Sequence, residues 1–290
     1  IDVFVDTFKP LLFDSIRAQY PYCYRCPLKK THPRCALACL KDFEAMMKER
    51  HNEIAACIVE PLFEGAAGII TMPAGFYKGI RSITKKYGVL LIADEVATGF
   101  GRTGAYFASI KEGVRPDMIC LAKGLSGGYL PLAATIATDE IYGAFLDSYH
   151  EFKAFFHGHT YTGNPLGCAA ALASIELFRK EKVLQRVRPK ITLLAGLLRP
   201  MSSMKNVGDV RQCGLAAGVE LVKDKSTKER FGAAERIGAR ICAEARRHGV
   251  LLRPLGDTIV IMPPLSVTDK ELKQITSAIS SSVETVLGAQ

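Results

Sequence analysis

Residues 90–104 read LLIADEVATGFGRTG: an apolar run, two adjacent carboxylates at Asp94 and Glu95, and a glycine-rich turn. A short apolar run that ends in turn residues has the pattern of a strand buried on both faces. In an open parallel sheet, ligands bind beyond the carboxyl ends of the strands, so Asp94 stands where a functional acid would stand. A lone aspartate at that point more often caps a turn or a helix, and it is the next segment that favours the functional reading.

The next segment, residues 116–135, reads PDMICLAKGLSGGYLPLAAT and carries a second apolar run at 118–121 that ends in Lys123 and flexible glycines. A lysine placed there is expected to be desolvated or paired, because its ammonium is costly to bury. Desolvation lowers a lysine's pKa and frees its amine to act as a Schiff-base nucleophile.

Working outward, residues 40–51 have helical spacing, 54–59 strand character, and 75–87 helical spacing with Gly88 as the stop; 89–93, 118–121 and 132–138 read as buried strands. Buried strands separated by helices predict an α/β fold with a mainly parallel sheet. Residues 164–181 read as a long helix leading out of that sheet domain. Beyond it come strands at 207–212 and 215–222, a helix at 233–248, strands near 250–253 and 258–262, and a final helix from Thr268. This second part reads as a small α+β domain. The expected boundary is near residue 182, giving a large domain at 1–182 and a small one at 183–290.

Composition narrows the function classes. The 290 residues are 48% hydrophobic and 23% charged, enough apolar material for a sizeable core. No apolar run approaches the roughly 20 residues of a membrane span. Lys and Arg exceed Asp and Glu by 38 to 29, a formal charge of +9, which invites an acidic partner. The basic residues are scattered in pairs such as Lys29–Lys30 and Lys85–Lys86, without the interleaved aromatics that stack bases, so nucleic acid is not expected.

The chain begins at Ile1 and shows no targeting signal. Nine cysteines, an odd number, read as reduced intracellular thiols, and the cytoplasm is the expected location. Cys23, Cys26, Cys35 and Cys39 are spaced x2, x8 and x3. Four thiolates could close a tetrahedral metal site, but the middle gap is short, and thiols that merely pack or redox-couple are the expected reading. No metal ligand is assigned.

Residues 155–165, FFHGHTYTGNP, form a donor-rich loop before the long helix. Backbone amides beside Gly158 and His159 and the Thr160 hydroxyl suit a phosphate oxygen, while Thr162 or Asn164 suits a helix cap. His157 and His159 have no carboxylate or cysteine at ligand spacing. In LLRPLGD, residues 251–257, Arg253 is expected just after a strand, where its guanidinium fork could bind a carboxylate by two parallel hydrogen bonds. Arg102 is expected to position the glycine-rich loop.

The strings ADEVATGFGRTG, AKGLSGGYLPLAAT and HGHTYTGNPLGCAAA together resemble the pyridoxal 5′-phosphate (PLP) dependent class III aminotransferases of fold type I, over nearly the whole chain. The resemblance implies that Lys123 is the catalytic lysine that holds PLP and then moves the substrate proton. It implies that Asp94 keeps the pyridine nitrogen protonated, and that His159 and Thr160 serve the phosphate of a neighbouring subunit in a homodimer. Lys123, Gly158 and Arg253 would meet the substrate. Within the class, VATGFGRTG with HGHTYTGNPLGC and RPLGD is similar to the branch that aminates 8-amino-7-oxononanoate in biotin biosynthesis. The HGHTYTGN form is closer to the lysine-using members of that branch than to those using S-adenosylmethionine, whose loop tends to read HGPTFMGN. Transamination of ornithine, 4-aminobutyrate or another ω-amine is the enzymatic alternative. Chains of this family open with a further segment, absent here, that completes the cofactor pocket. The sequence is therefore expected to bind PLP weakly by itself, and a homologue surviving only as an interaction module is the alternative of another class.

Overall fold

The computed structural model describes residues 5–288. In chain order its elements are α1 (Ala38–Arg50), β1 (Ala56–Val59), β2 (Phe63–Glu64), β3 (Ile70–Thr71), α2 (Phe76–Lys86), β4 (Leu90–Asp94), α3 (Ala108–Lys111), β5 (Met118–Leu121) and β6 (Ala134–Ala137). They continue as α4 (Asp139–Gly143), α5 (Pro165–Lys180), α6 (Val183–Leu198), β7 (Val207–Cys213), β8 (Ala216–Leu221), α7 (Ile237–Ala245), β9 (Arg253–Leu255), β10 (Thr258–Ile261) and α8 (Asp269–Leu287).

The chain forms two compact units. One comprises Glu44–Leu62 and Ala74–Arg186; the other takes the residues up to Phe43, Phe63–Pro73, and everything from Val187 on. The N-terminal stretch, expected in the same domain as β4 and β5, thus groups with the C-terminal sheet. What draws it there is a set of polar contacts that the sequence spacing does not reveal.

In the first unit a four-stranded sheet runs β1-β4-β5-β6. Strands β1, β4 and β5 are parallel, with Ile58 facing Ile92 and Asp94 facing Cys120. Strand β6 is antiparallel to β5 and largely exposed, which corrects the expectation of a third buried strand at 132–138. The reason lies in the connection: a parallel return needs a crossover, usually a helix, and residues 122–133 make only turns. Helix α2 buries Phe76, Tyr77, Ile80 and Ile83 on one face and ends in Lys85 and Lys86, with Gly88 at φ 69° as its stop. Arg81 of α2 grips Asp117 with both terminal nitrogens, at 2.5 and 3.0 Å. The same carboxylate accepts the Leu91 N–H at 2.7 Å. Burial raises the Asp117 pKa, but the Arg81 fork and the Leu91 N–H outweigh it and hold the carboxyl below its usual range.

In the second unit an antiparallel sheet runs β7-β8-β10-β9. Every residue of β8 is buried, Glu220 included. Glu220 accepts from Arg25 at 2.7 Å, from Arg211 at 2.7 Å and from the Tyr22 hydroxyl. Arg211 also donates to the carbonyls of Gly68 and Ile69, so one guanidinium ties the β2–β3 hairpin to the sheet. A side chain at Gly218 would meet the Gly68 carbonyl at 2.6 Å; that approach is why the strand carries glycine there. Thr268 and Glu271 form a reciprocal capping box that starts α8.

Two expectations in this unit need correction. The helix expected at 233–248 is interrupted at Arg236, which is left-handed at φ 49°, so α7 proper begins only at Ile237. The strand expected to end at Arg253 instead begins there, because β9 takes its register from β10: Val260 faces Arg253 and Thr258 faces Leu255.

Burial raises the Glu220 pKa, but the Tyr22, Arg25 and Arg211 donors together outweigh it and leave the carboxyl below its usual value. A depressed carboxylate contributes stability above its unfolded pKa of about 4.3 and loses it as the pH falls through the folded value. Replacing Arg211 leaves that buried charge short of a partner. Urea denaturation of Arg211→Met is expected to show a loss of about 3–5 kcal/mol at neutral pH that narrows steadily on acidification below about pH 4.

Candidate active site

Strands β4 and β5 end at the same edge of the sheet. The Glu95 N–H donates across to the Cys120 carbonyl at 3.0 Å, which continues the ladder one step past Asp94. Asp94 faces Cys120, and Lys123 follows three residues later, in the turn just past the end of β5. The acid and the amine therefore emerge from the carboxyl ends of neighbouring parallel strands.

Asp94 is half-buried and its Oδ1 accepts the Val96 N–H at 3.1 Å, a turn-forming bond that leaves the other oxygen outside it. Its turn role and its position at the sheet edge coexist. Lys123 is exposed, which corrects the expectation of a desolvated ammonium. A 3-10 turn from Lys123 to Leu125 buries Leu125 in place of the lysine, and Lys123 itself is left-handed at φ 47°. For a residue with a Cβ that conformation costs about 1 kcal/mol or more, so the surrounding structure must impose it.

The sequence showed Glu95 beside Asp94 but gave it no role, and it did not single out Phe100. Glu95 is fully buried and accepts the N–H groups of Ala108 at 2.6 Å and Ser109 at 2.8 Å, so it closes the base of the glycine-rich loop that follows Asp94. Burial lifts its pKa above the usual range, against the opposing pull of those N–H donors. Arg102, in the same loop, is pushed down to about 10 by burial. The only sequence signal for Glu95 is its place directly after a strand-end aspartate.

Gly158, His159 and Thr160 lie in an exposed loop before α5. The His159 N–H donates to the Thr162 hydroxyl at 3.0 Å, and the His159 Nδ1 accepts the Tyr161 N–H at 3.1 Å. Asn164 caps α5 by accepting the Gly167 N–H at 2.8 Å. Arg253 belongs to the other unit, exposed at the start of β9 on the sheet's outer strand. Cys23, Cys26, Cys35 and Cys39 line one cavity of about 20 Å³. Burial, and then the neighbouring thiols, push the Cys23 thiol up. Among the described residues no group of three or more His, Cys, Asp or Glu is arranged to hold a metal ion.

A family model described as Aminotransferase class-III matches residues 3–283. The chain belongs to that family. It is 52% identical over 289 residues to an adenosylmethionine-8-amino-7-oxononanoate aminotransferase of Geobacter sulfurreducens, covering 99% of this chain and 64% of the relative. A protein of the same description from Nitratidesulfovibrio vulgaris is 50% identical over 289 residues, covering 100% of this chain and 52% of the relative. The crystal structure of the Methanocaldococcus jannaschii protein of that description superposes with a TM-score of 0.91 at 41% identity, over 98% of this chain and 63% of that one. The chain thus spans between half and two thirds of the length of these relatives. Its α/β fold is that of the family's transaminases.

Replacing Glu95 by Gln keeps one acceptor oxygen and sets an amide NH2 against a buried backbone N–H. Thermal unfolding of Glu95→Gln is expected to show a loss of about 1–3 kcal/mol, the usual consequence of an unpaired buried donor.

Proposed function

We propose that this chain belongs to a PLP-dependent transaminase that converts 8-amino-7-oxononanoate to 7,8-diaminononanoate in biotin biosynthesis. The observation that carries the reading is the emergence of Asp94 and Lys123 from adjacent parallel strand ends, in a chain of this family. The printed descriptions of the relatives supply the acceptor.

The residues present suit PLP chemically: an acid with one oxygen outside its turn bond and an exposed primary amine share one sheet edge. When bound, PLP supplies an electron sink for the negative charge left on the substrate carbon as its proton departs. Asp94 would keep the pyridine nitrogen protonated by placing a negative charge against it. The Lys123 amine would take the proton from the substrate carbon as general base and deliver it to the cofactor C4′ as general acid. Arg253 presents a guanidinium fork for the far carboxylate of the acceptor. His159 and Thr160 would serve the phosphate bound by a second copy in a homodimer, and Gly158 would meet the substrate; their exposure on a donor-rich loop supports that assignment.

The amino donor is lysine or S-adenosylmethionine: the HGHTYTGN loop favours the first, the relatives' descriptions the second. A cytoplasmic setting fits nine cysteines that are all free. Among the described residues no helix is long and apolar enough to cross a membrane.

The full-length protein, purified and supplied with PLP and 8-amino-7-oxononanoate, is expected to form the diamine with one of those two donors. Asp94→Asn is expected to lower turnover by roughly 100-fold or more, equivalent to about 3 kcal/mol of barrier. Turnover of ornithine with 2-oxoglutarate, and none of the oxononanoate, would defeat the biotin reading.

A further inference from the structure

The loop that follows Asp94 returns to touch the segment that carries Lys123. Phe100 is buried, left-handed at φ 48°, and edge-on to Phe107 with ring centroids 5.7 Å apart. It packs in one cluster with Leu121, Leu125 and Ala171. It lies so close to Gly124 that a Cβ there would stand 2.6 Å from the Phe100 Cβ and 3.1 Å from its Cγ. From another side the Ser174 hydroxyl of α5 donates to the Gly124 carbonyl at 3.2 Å. The residue after Lys123 is therefore held between an aromatic side chain and a hydroxyl, while β5 fixes the residues before it.

We propose that Phe100 is a positioning residue for Lys123: seated on Gly124, it imposes the left-handed turn that presents the amine beside the strand bearing Asp94. The role of that amine rests on the transaminase reading above; the seat itself does not. Because the loop's base is closed by the Glu95 carboxylate, acid and amine are held by one continuous stretch of packed chain. Only glycine at 124 permits so close an approach. A side chain at 100 that merely filled space would tolerate truncation with a general loss of stability and no local effect on the turn.

The test uses the whole chain with three substitutions: Phe100→Gly, which accepts positive φ but removes the seat; Phe100→Leu, which keeps an apolar one; and Gly124→Ala, which obstructs it. The first readout needs no cofactor. Hydrogen exchange at the Leu125 and Gly127 amides, which donate to Ala122 and Gly124, is expected to quicken about tenfold or more in Phe100→Gly and Gly124→Ala and to stay near wild type in Phe100→Leu. The second adds PLP and follows the pH dependence of the visible absorbance. Its midpoint is expected to move by roughly half a unit or more in the same two variants and to be restored in Phe100→Leu. Unchanged exchange and an unchanged midpoint in Gly124→Ala, with Phe100→Gly merely melting at a lower temperature, would overturn the proposal. If exchange quickens as expected but the full-length wild type gains no visible band with PLP, the seat stands and the transaminase reading falls. A wild-type band with neither readout moved does the reverse.

Discussion

The parallel pairing of β4 with β5 is the constraint on which the candidate site depends. Its register sets Asp94 against Cys120 and lets the Glu95 N–H reach the Cys120 carbonyl, so both strands run out at one edge within a few residues of each other. A slip of one residue would turn every side chain of β4 to the opposite face. Asp117 resists such a slip: placed just before β5, it is forked by Arg81 and accepts the Leu91 N–H of β4. One carboxylate thus ties a helix and two strands together. Beyond the strand ends, the backbone geometry is held by tertiary contact. The left-handed residues Phe100 and Lys123 both lie where the two loops meet. Conformations that short-range preference disfavours concentrate at functional sites when packing over-determines them.

The second unit is built on a different compromise. Its central strand β8 buries an ionised side chain among apolar ones, and Glu220 is tolerated because Tyr22, Arg25 and Arg211 converge on it. Such a cluster adds little net stability compared with an apolar core of the same shape, since desolvation offsets most of the attraction. It is specific, however. Arg211 reaches the carbonyls of Gly68 and Ile69, and Arg25 reaches Glu220 from the far end of the sequence, so the charges select which distant segments join the sheet.

Much of the first unit was legible because periodicity and punctuation agree there. The run at 89–93, the amphipathic face of α2 and its Gly88 stop each carry a local signal, and Asn164 caps the long helix as a residue of its type should. What was hidden is non-local. The exposure of Lys123 follows from Leu125 taking the buried place in the turn, and the antiparallel course of β6 follows from a connection without a helix. Arg236 breaks its helix with a left-handed backbone that no propensity favours, while β9 begins where a strand was expected to end because β10 dictates its pairing. The grouping of residues before Phe43 with the C-terminal sheet depends on partners some two hundred positions away, and no spacing rule reports them. Of the candidate site, Asp94 and Lys123 could be read from strand-end position, whereas Glu95 and Phe100 act through backbone amides and a glycine in segments read as separate motifs.

Under the proposed function, the amine emerging beside Asp94 is the group that would capture the cofactor. That capture is tested most directly by treating the full-length protein with PLP, fixing the adduct with borohydride, and mapping the modified peptides by mass spectrometry. The phosphopyridoxyl group is expected on the peptide containing Lys123, with Asp94→Asn lowering the extent of labelling. Labelling spread evenly over surface lysines, or concentrated on any other residue, would contradict it.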